Sequence, residues 1–247
     1  MLSNNNSKFI KSLQLKKHRT EHSCFFVEGR INVLEVLQSS YKVKTVLVTN
    51  EFYKEVKEFI NAETELIEVK EADLEKIGTY TTNNFGLAVV YMSESKTHFD
   101  ENSWSLAFDD INDPGNLGTI VRTADWFGIK NIYCSKESVD FYNPKVINST
   151  KGSFTRVSVH YLDLDIFLKD KSVVSAEMKG TNVFDFNWSH GGVLLMGNES
   201  HGVRNSLSKI CKDKITIPRI GHAESLNVAV ATAIFLSDMV SKQNKLT

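Results

Sequence analysis

Asn116 and Arg122 occupy a segment whose residue types suit the binding of an anion or of a cofactor's polar edge. The apolar residues 106–108 predict a short strand, and the Asp-Pro-Gly sequence at 113–115 predicts a turn directly after it. Asn116 has the residue type of a helix N-cap, and apolar residues recur at helical spacing until Gly128, which predicts the end of the helix. The start of a helix presents unpaired N–H donors, and a guanidinium fits phosphate or carboxylate. We therefore interpret Asn116 and Arg122 as the first residues of a functional site.

Two later segments repeat this order of strand, loop and helix. Residues 193–196 form a continuous apolar run that leads at once into the Gly-Asn-Glu sequence at 197–199. Residues 215–217 lead through Pro218 and a polar loop into the Ser-Leu-Asn sequence at 225–227, which precedes an apolar helical stretch. The chain therefore holds three strand–loop–helix units with polar residues in each loop.

Taken in order, the three loops read N-x-G-x-x-x-R, G-N-E and I-P…S-L-N-V, and they resemble the three motifs of the SpoU (TrmH-like) family. That family consists of knotted ribose 2′-O-methyltransferases of the SPOUT superfamily, which use S-adenosylmethionine. The resemblance implies an S-adenosylmethionine-dependent RNA 2′-O-methyltransferase. It also implies a homodimer.

The resemblance assigns roles residue by residue. It implies catalytic roles for Asn116, Arg122, Glu199, Ser225 and Asn227. It implies cofactor binding by Met178, Gly180, Met196, Gly197, Ile217 and Leu226. Because a guanidinium stays charged, it is a poor general base. We therefore expect Arg122 to hold the adjacent phosphate and to activate the ribose hydroxyl electrostatically.

Each of these residues also has a plainer interpretation when it is taken alone. Asn116 and Ser225 could be helix N-caps. Glu199 could complement the positive end of the following helix, and Arg122 could form a surface ion pair. His201 lies in the same loop as Glu199, and we interpret it as a loop residue and not as a catalyst.

The front of the chain predicts a separate domain. The Phe-Phe-Val-Glu-Gly-Arg sequence at 25–30, followed by apolar residues, resembles the small L30e-like substrate-binding domain that precedes the catalytic domain in many SpoU enzymes. Strands are predicted at 45–48 and 86–90. The polar, aperiodic segment 93–103 predicts a linker. The predicted organisation is an L30e-like RNA substrate-binding domain at 1–92, the linker at 93–103, and a SpoU methyltransferase domain at 104–247.

The second domain reads as an α/β fold. Its apolar runs at 106–108, 131–134, 173–176, 193–196 and 215–217 predict buried strands with helical stretches between several of them. This pattern is typical of a mostly parallel sheet covered on both faces. The pattern itself predicts a Rossmann-like sheet, and the resemblance adds a trefoil knot that forms the cofactor pocket.

Charge along the chain favours RNA as the partner. The formal net charge is only −1, but the first 20 residues carry +5 from Lys8, Lys11, Lys16, Lys17 and Arg19, with no acidic residue. Alternatively, these residues are the solvated face of a helix that packs through Phe9, Ile10 and Leu13. Arg30 and Lys151 complete the predicted RNA-binding set.

Composition excludes several other classes. The three cysteines, Cys24, Cys134 and Cys211, stand far apart, which argues against a disulfide framework or a zinc site, and we expect no metal cofactor. The N-terminus is polar and then basic, and no apolar run has membrane-spanning length, so we expect a cytoplasmic protein without a membrane partner.

Competing functions are a nicotinamide-dependent dehydrogenase and a nucleotide-hydrolysing enzyme, but the chain lacks both GxGxxG and GxxxxGK[ST]. A non-catalytic L30e-type RNA-binding protein accounts only for residues 1–92. Among methyltransferases, the two-domain layout favours 23S ribosomal RNA as substrate, with transfer RNA as the alternative. The methylated nucleotide is not specified by the sequence.

Overall fold

The computed structural model describes residues 2–93, 97–188, 191–198 and 200–243. The chain forms two compact units, which we call the front unit and the sheet unit. The front unit comprises Met1–Glu94 and Asp140–Thr155, and the sheet unit comprises Ser95–Val139 and Arg156–Thr247. The sequence division had assigned residues 140–155 to the second domain, but in the structure they group with the front unit. Residues 94–96 of the predicted linker lie outside the described residues.

The described residues form helices and strands with the following bounds. The helices are α1 (Asn4–Ser12), α2 (Lys16–His22), α3 (Arg30–Leu37), α4 (Asn50–Val56), α5 (Glu71–Ile77), α6 (Pro114–Trp126), α7 (Pro144–Thr150), α8 (Leu164–Phe167), α9 (Asn205–Ile210) and α10 (Val228–Gln243). The strands are β1 (Cys24–Glu28), β2 (Val43–Val48), β3 (Glu65–Glu68), β4 (Gly86–Tyr91), β5 (Trp104–Phe108), β6 (Asn131–Ser135), β7 (Ser158–Leu162), β8 (Val173–Asn182), β9 (Gly192–Met196) and β10 (Asp213–Thr216). Short 3₁₀ turns lie at Lys57–Phe59, Ser153–Thr155 and Val183–Asp185. None of the helices among the described residues combines the length and apolar character needed to cross a membrane.

The front unit contains a four-stranded mixed sheet in the order β1-β4-β2-β3. The central strand β4 runs antiparallel to both neighbours, while β2 and β3 are parallel. Ile10 and Leu13 of the N-terminal segment are buried in its core with residues from β1, β2 and β4. This packing confirms the expectation that the basic segment is anchored through its apolar face.

The sheet unit contains six strands in the order β10-β8-β9-β5-β6-β7, and all neighbouring pairs are parallel. The five predicted strands are present, and β7, which the sequence pattern did not predict, forms the edge. Only one of its five residues is buried, so it lacks the apolar run that identifies an interior strand. The predicted α/β class with a parallel sheet is therefore confirmed.

Candidate functional site

The three motif loops all begin at the carboxyl-terminal ends of strands in the parallel sheet. The chain builds the sheet outward from β5 through β6 to β7, and the remaining strands lie on the other side of β5. Strand order therefore reverses between β5 and β9, where open parallel sheets bind their ligands beyond the carboxyl ends of the strands. Phe108 pairs with Met196 at these ends, and the Asp109 N–H donates to the Met196 carbonyl at 2.9 Å. The first and second motif loops thus begin side by side.

The helix of the first motif starts earlier than the sequence analysis predicted. Asp113 is the N-cap of α6, since its Oδ1 accepts from the Asn116 N–H at 2.8 Å, and Pro114 occupies the first helical position. Asn116 is therefore not the N-cap, and its side chain is available for another role. The predicted end of the helix is correct, because Gly128 has a positive φ of 77° directly after α6.

Asn116 instead meets the third motif. The Asn227 side chain donates from Nδ2 to Asn116 Oδ1 at 2.9 Å. Asn227 Oδ1 accepts from the N–H groups of Ala229 at 2.9 Å and Val230 at 3.3 Å, so Asn227 caps α10. The sequence analysis had considered Ser225 as this cap, but the chain reaches helical geometry only after Asn227. One side chain thus joins the start of α10 to α6.

The other predicted catalytic residues differ in their surroundings. Arg122 is exposed on α6 and makes no hydrogen bond or ion pair with the described part of the chain. The surface ion pair that we had considered for Arg122 is therefore not formed with any residue that the structure describes. Ser225 is exposed in the loop before α10. Glu199 lies outside the described residues.

Two acidic residues that the sequence analysis missed connect the first motif loop to the second. Asp109 is buried, and its Oδ2 accepts from the Arg204 backbone N–H at 3.0 Å and from Arg204 Nε at 3.1 Å. Its Oδ1 lies 2.9 Å from the same Nε. The next residue, Asp110, has a positive φ of 60° and accepts from Asn198 Nδ2 at 2.8 Å through its carbonyl. A pair of carboxylates directly after a buried strand is the signal that could have identified them.

The second motif loop is closed on itself. Asn198 and Gly202 exchange backbone hydrogen bonds of 2.9 and 3.1 Å, and Asn198 Oδ1 accepts from the Ser200 N–H at 2.8 Å. A Cβ on Gly197 would lie 2.1 Å from the Gly202 carbonyl carbon, so only glycine fits there. Residues 198, 200 and 202 of this loop are thereby held together.

The predicted cofactor-binding residues lie near the same carboxyl-terminal ends of the strands. In β8, the register against β10 jumps from Ser175–Lys214 to Thr181–Ile215, so residues 176–180 bulge out of the pairing. This bulge contains Met178 and Gly180, two of the predicted cofactor-binding residues. The Met178 carbonyl accepts from Thr216 Oγ1 at 3.3 Å, next to Ile217. Met178, Met196 and Ile217 therefore belong to three neighbouring strand ends.

These residues have the character that an adenosine group requires. Met178 and Leu226 expose 62% and 49% of their surface although they are apolar, whereas Met196 is buried beneath the sheet edge. A Cβ on Gly180 would lie 2.4 Å from the Lys214 carbonyl oxygen, so this backbone also needs glycine. Exposed apolar side chains can pack against a planar base, and the neighbouring loop backbone can form hydrogen bonds with its polar groups.

The basic residues of the front unit fall into two groups. Lys8, Lys11, Lys16 and Lys17 are exposed on α1 and α2. Arg19 is buried, and its guanidinium donates to Asp140 Oδ2 at 2.6 Å and to the carbonyls of Leu13 and Gln14 at 2.9 and 2.8 Å. The predicted RNA contact of Arg19 is therefore withdrawn, because its donors are used inside the protein. Arg30 and Lys151 are exposed.

The structure also groups three side chains that could bind a metal ion. His18, Glu21 and His22 on α2 each place a potential ligand atom within 4.8 Å of the other two. The sequence analysis overlooked this set, which arises from helical spacing of three and four residues. The absence of a metal cofactor stays a prediction.

Comparison with known proteins decides the family. Residues 103–237 match the model of the SpoU rRNA Methylase family, and residues 4–88 match that of the MRM3-like substrate binding domain. The chain belongs to the SpoU rRNA Methylase family. The resemblance inferred from the three motif loops is therefore confirmed. The passage of the SpoU chain through a trefoil knot stays a prediction.

Three other proteins resemble this chain over nearly its full length. It is 30% identical to the 23S rRNA (guanosine(2553)-2′-O)-methyltransferase RlmP of Bacillus subtilis, over 92% of both chains. It is similar in structure to the AdoMet-bound rRNA methyltransferase from Sinorhizobium meliloti, with a TM-score of 0.88, 29% identity, and coverage of 100% of this chain and 97% of the other. A TrmH-family protein from Porphyromonas gingivalis superposes with a TM-score of 0.87 at 32% identity, over 97% and 98% of the two chains.

Proposed function

We propose that this SpoU protein transfers a methyl group from S-adenosylmethionine to a ribose 2′-hydroxyl of 23S ribosomal RNA. The observation that carries the proposal is the hydrogen bond between Asn227 and Asn116, which joins the third motif to the first at the switch point of the sheet. The names of the relatives support the reaction and the substrate, since the Bacillus subtilis protein is a 23S rRNA 2′-O-methyltransferase.

S-adenosylmethionine supplies a methyl group that is already activated on a sulfonium, so the protein's main task is positioning. Met178, Met196 and Leu226 would contact the adenosine. The backbones of Gly180, Gly197 and Ile217 would surround it at the sheet edge. The exposure of Met178 and Leu226 and the tight packing around Gly180 and Gly197 favour this assignment.

Arg122 is the residue that we assign to the RNA phosphate beside the target ribose. Its guanidinium is exposed and has no partner in the described chain, so its donors are available. A fixed positive charge there stabilises the negative charge that develops on the 2′-oxygen as its proton leaves.

Asn116 and Asn227 act together in this proposal. The Asn227 amide donates to Asn116 Oδ1 and so helps to hold the Asn116 side chain in a defined orientation at the site. We assign Ser225 to a contact with substrate or cofactor because it is exposed in the same loop. For Glu199 the family resemblance alone implies a catalytic role, and we assign it to the orientation of Asn116 or Arg122.

The exposed lysines on α1 and α2 supply the contact with the RNA backbone. Lys8, Lys11, Lys16 and Lys17 lie within the acid-free start of the chain up to residue 20 and have exposed side chains. Such residues add affinity that falls with increasing salt concentration.

The test is the transfer of labelled methyl from S-adenosylmethionine to separate pools of unmodified 23S, 16S and transfer RNA, followed by nucleoside analysis. We expect label only in the 23S pool, as a 2′-O-methyl nucleoside. Label in transfer RNA would support the alternative substrate, and label on a base would contradict ribose methylation. Cofactor binding without transfer to any pool calls for a ribosomal assembly intermediate as the next substrate. If the protein neither binds the cofactor nor transfers a methyl group, it is not an enzyme of this class but an RNA-binding relative.

We also propose that a second copy of the chain covers the groove between α6 and α10. This groove of about 780 Å³ is lined by Thr119 and Thr123 of α6, by Phe127 at the end of that helix, and by Val230, Ala233 and Ile234 of α10, among others. Asn116 and Asn227 lie at the same groove. Val230 is half exposed and Trp126 on α6 is 84% exposed, which is unusual for large apolar side chains on a free surface.

Sedimentation velocity of Val230→Lys tests this dimer. We expect the variant to be monomeric, because a lysine in the groove would bury an unpaired charge. Ile166→Lys is the matched control, since Ile166 is 75% exposed but lies on α8 and does not line the groove. A Val230→Lys dimer as stable as the control would exclude this face.

A further inference from the structure

The front unit contains a small pocket beside the start of α3. Its volume is about 240 Å³, and its lining includes Arg30, Asn32, Tyr80, Phe85 and Lys151. Pockets for drug-sized ligands are larger, at roughly 300–1,000 Å³. The dimensions therefore suit one planar ring system.

Asn32, which lines this pocket, has an unpaired acceptor. Asn32 is only 2% exposed, and its Nδ2 donates to the Glu28 carbonyl at 3.2 Å, which fixes the orientation of the amide. Asn32 Oδ1 is buried and has no hydrogen-bond partner in the described chain. Because buried polar atoms are nearly always paired, this oxygen indicates a donor that a ligand would supply.

The walls of the pocket are aromatic. Phe85 is 40% exposed, and the Tyr80 ring packs so closely on Gly29 that a Cβ there would lie 2.9 Å from its Cε2. Glu28 accepts from the N–H groups of Thr79 and Tyr80 at 3.0 and 3.4 Å and from Asn148 Nδ2 at 3.0 Å, which holds the tyrosine in place. Burial and the Glu28 carboxylate raise the pKa of Tyr80, so its ring stays neutral.

Positive charge lies at the rim. Lys151 is exposed and forms no ion pair with the described residues. Arg30 pairs with Glu55, yet a guanidinium has five donors and this contact leaves some of them available. The α3 helix, of eight residues, begins at Arg30 without a side-chain cap and without an acidic residue in its first turn. These features favour a phosphate next to the planar ring.

We propose that this pocket binds one unpaired nucleotide of the RNA, with its base on Tyr80 and Phe85, a base N–H donated to Asn32 Oδ1, and a phosphate at Arg30 and Lys151. The proposal rests on the proposed function, since it takes RNA as the substrate. Every base carries an N–H donor on its pairing edge, but in a duplex that donor is used. The pocket therefore selects single-stranded RNA and gives little discrimination among the four bases.

Fluorescence anisotropy with the full chain tests the pocket without cofactor. The probes are labelled single-stranded A12, C12 and U12 RNA, a 12-base-pair RNA duplex, and adenosine monophosphate as a competitor. We expect all three single strands to bind more tightly than the duplex. Tyr80→Leu should weaken single-strand binding on the order of tenfold, as for the loss of one stacking platform. Lys151→Gln should weaken it severalfold and lower the salt dependence.

Matched variants separate the pocket from general effects. Tyr53→Leu and Lys54→Gln change the same residue types on α4 outside the pocket and should retain wild-type affinity. Asn32→Leu should also weaken single-strand binding. Thermal unfolding of each variant shows whether it folds. If Asn32→Leu does not fold, the partly exposed Tyr80 and Lys151 still decide the test.

Three results would overturn the pocket. The first is equal binding of single strands and duplex. The second is a single-strand affinity of the Tyr80 and Lys151 variants within about twofold of that of the controls, a margin well below the stacking loss. The third is binding of adenosine monophosphate as tight as that of the strands. Methyl transfer is measured separately with 23S RNA. Normal transfer with unaltered strand binding in the variants refutes the pocket alone. Pocket-dependent strand binding together with neither cofactor binding nor transfer refutes the proposed reaction alone.

Discussion

Asn227 donates to Asn116 at 2.9 Å while its own carbonyl oxygen caps α10. The Asn227 amide therefore has two roles: its Oδ1 stabilises the start of α10, and its Nδ2 contacts Asn116 at the site. A variant that keeps the oxygen and removes the amide nitrogen can separate the two.

Asn227→Asp is that variant. The carboxylate still caps α10, so we expect the melting temperature to change little, but it cannot donate to Asn116 and repels its Oδ1. Methyl transfer should fall on the order of tenfold or more, as expected for about 1.5 kcal/mol of lost positioning. Asn227→Ala should lose transfer and also about 1 kcal/mol of stability from the missing cap. Equal stability of the two variants would show that the cap contributes nothing.

Arg122→Ala tests the phosphate-binding role. Because Arg122 is exposed and makes no hydrogen bond or ion pair with the described residues, its removal should change stability by less than about 0.5 kcal/mol. We expect transfer to fall on the order of 100-fold with unchanged cofactor affinity, measured by steady-state kinetics and calorimetry. Lys130→Ala, at an exposed position after α6, is the control. Full activity of Arg122→Ala would remove this residue from the catalytic set.

Asp109→Asn tests the connection between the first and second motif loops. The buried carboxylate accepts two hydrogen bonds from Arg204, and the amide can replace only part of them. We expect a loss of about 1–3 kcal/mol and a weaker cofactor affinity, because the loop that carries Gly197 is less well held. Asp165→Asn is the control, since Asp165 lies 3.7 Å from the same arginine and is 40% exposed. A cofactor affinity equal to that of the control would contradict the positioning role.

Glu177 gives the sheet edge beside Met178 a defined pH dependence. Burial raises the pKa of Glu177, but hydrogen bonds from Lys214, Ser208 and Ser175 outweigh it and lower the pKa below its ordinary value of 4.5. A lowered carboxyl pKa means stability that is present above pH 4.5 and is lost as pH falls through the folded-state value.

The measurement compares chemical unfolding of wild type and Glu177→Gln across pH. The stability difference should be constant near neutral pH and should shrink below pH 4.5. Glu137→Gln, at an exposed position, should show no such change. A Glu177→Gln difference that persists undiminished at the lowest pH would contradict the stated cause.

Arg19 and the neighbouring lysines should behave in opposite ways. Arg19→Met leaves Asp140 and two carbonyls without their donor, and we expect a loss of about 3–5 kcal/mol in thermal or chemical unfolding. The double variant Lys16→Gln with Lys17→Gln should retain stability but should bind RNA more weakly, with a smaller salt dependence. Lysine variants that bind RNA like wild type would exclude α2 from the RNA contact.

Local pattern was sufficient to identify the parallel sheet and the three motif loops. Buried parallel strands are continuous apolar runs, so β5, β6, β9 and the buried start of β8 are visible in the sequence. The edge strand β10 has only one of its four residues buried, and it was identified by the apolar residues Ile215 and Ile217. The strand β7 is at the edge and half exposed, so no such run marks it. Loop residues are recognisable because glycine and the capping residue types have local backbone reasons to be there.

What only the tertiary structure decided is which partners these residues meet. The sequence contains Asn116 and Asn227, but it cannot show that these two residues, 111 positions apart, are joined by a hydrogen bond. It likewise gives Arg19 the same appearance as Lys16, although one is buried and the other exposed. Burial and long-range pairing depend on how elements pack, because the free energy of a charged side chain is set by the groups around it and not by its neighbours in the chain.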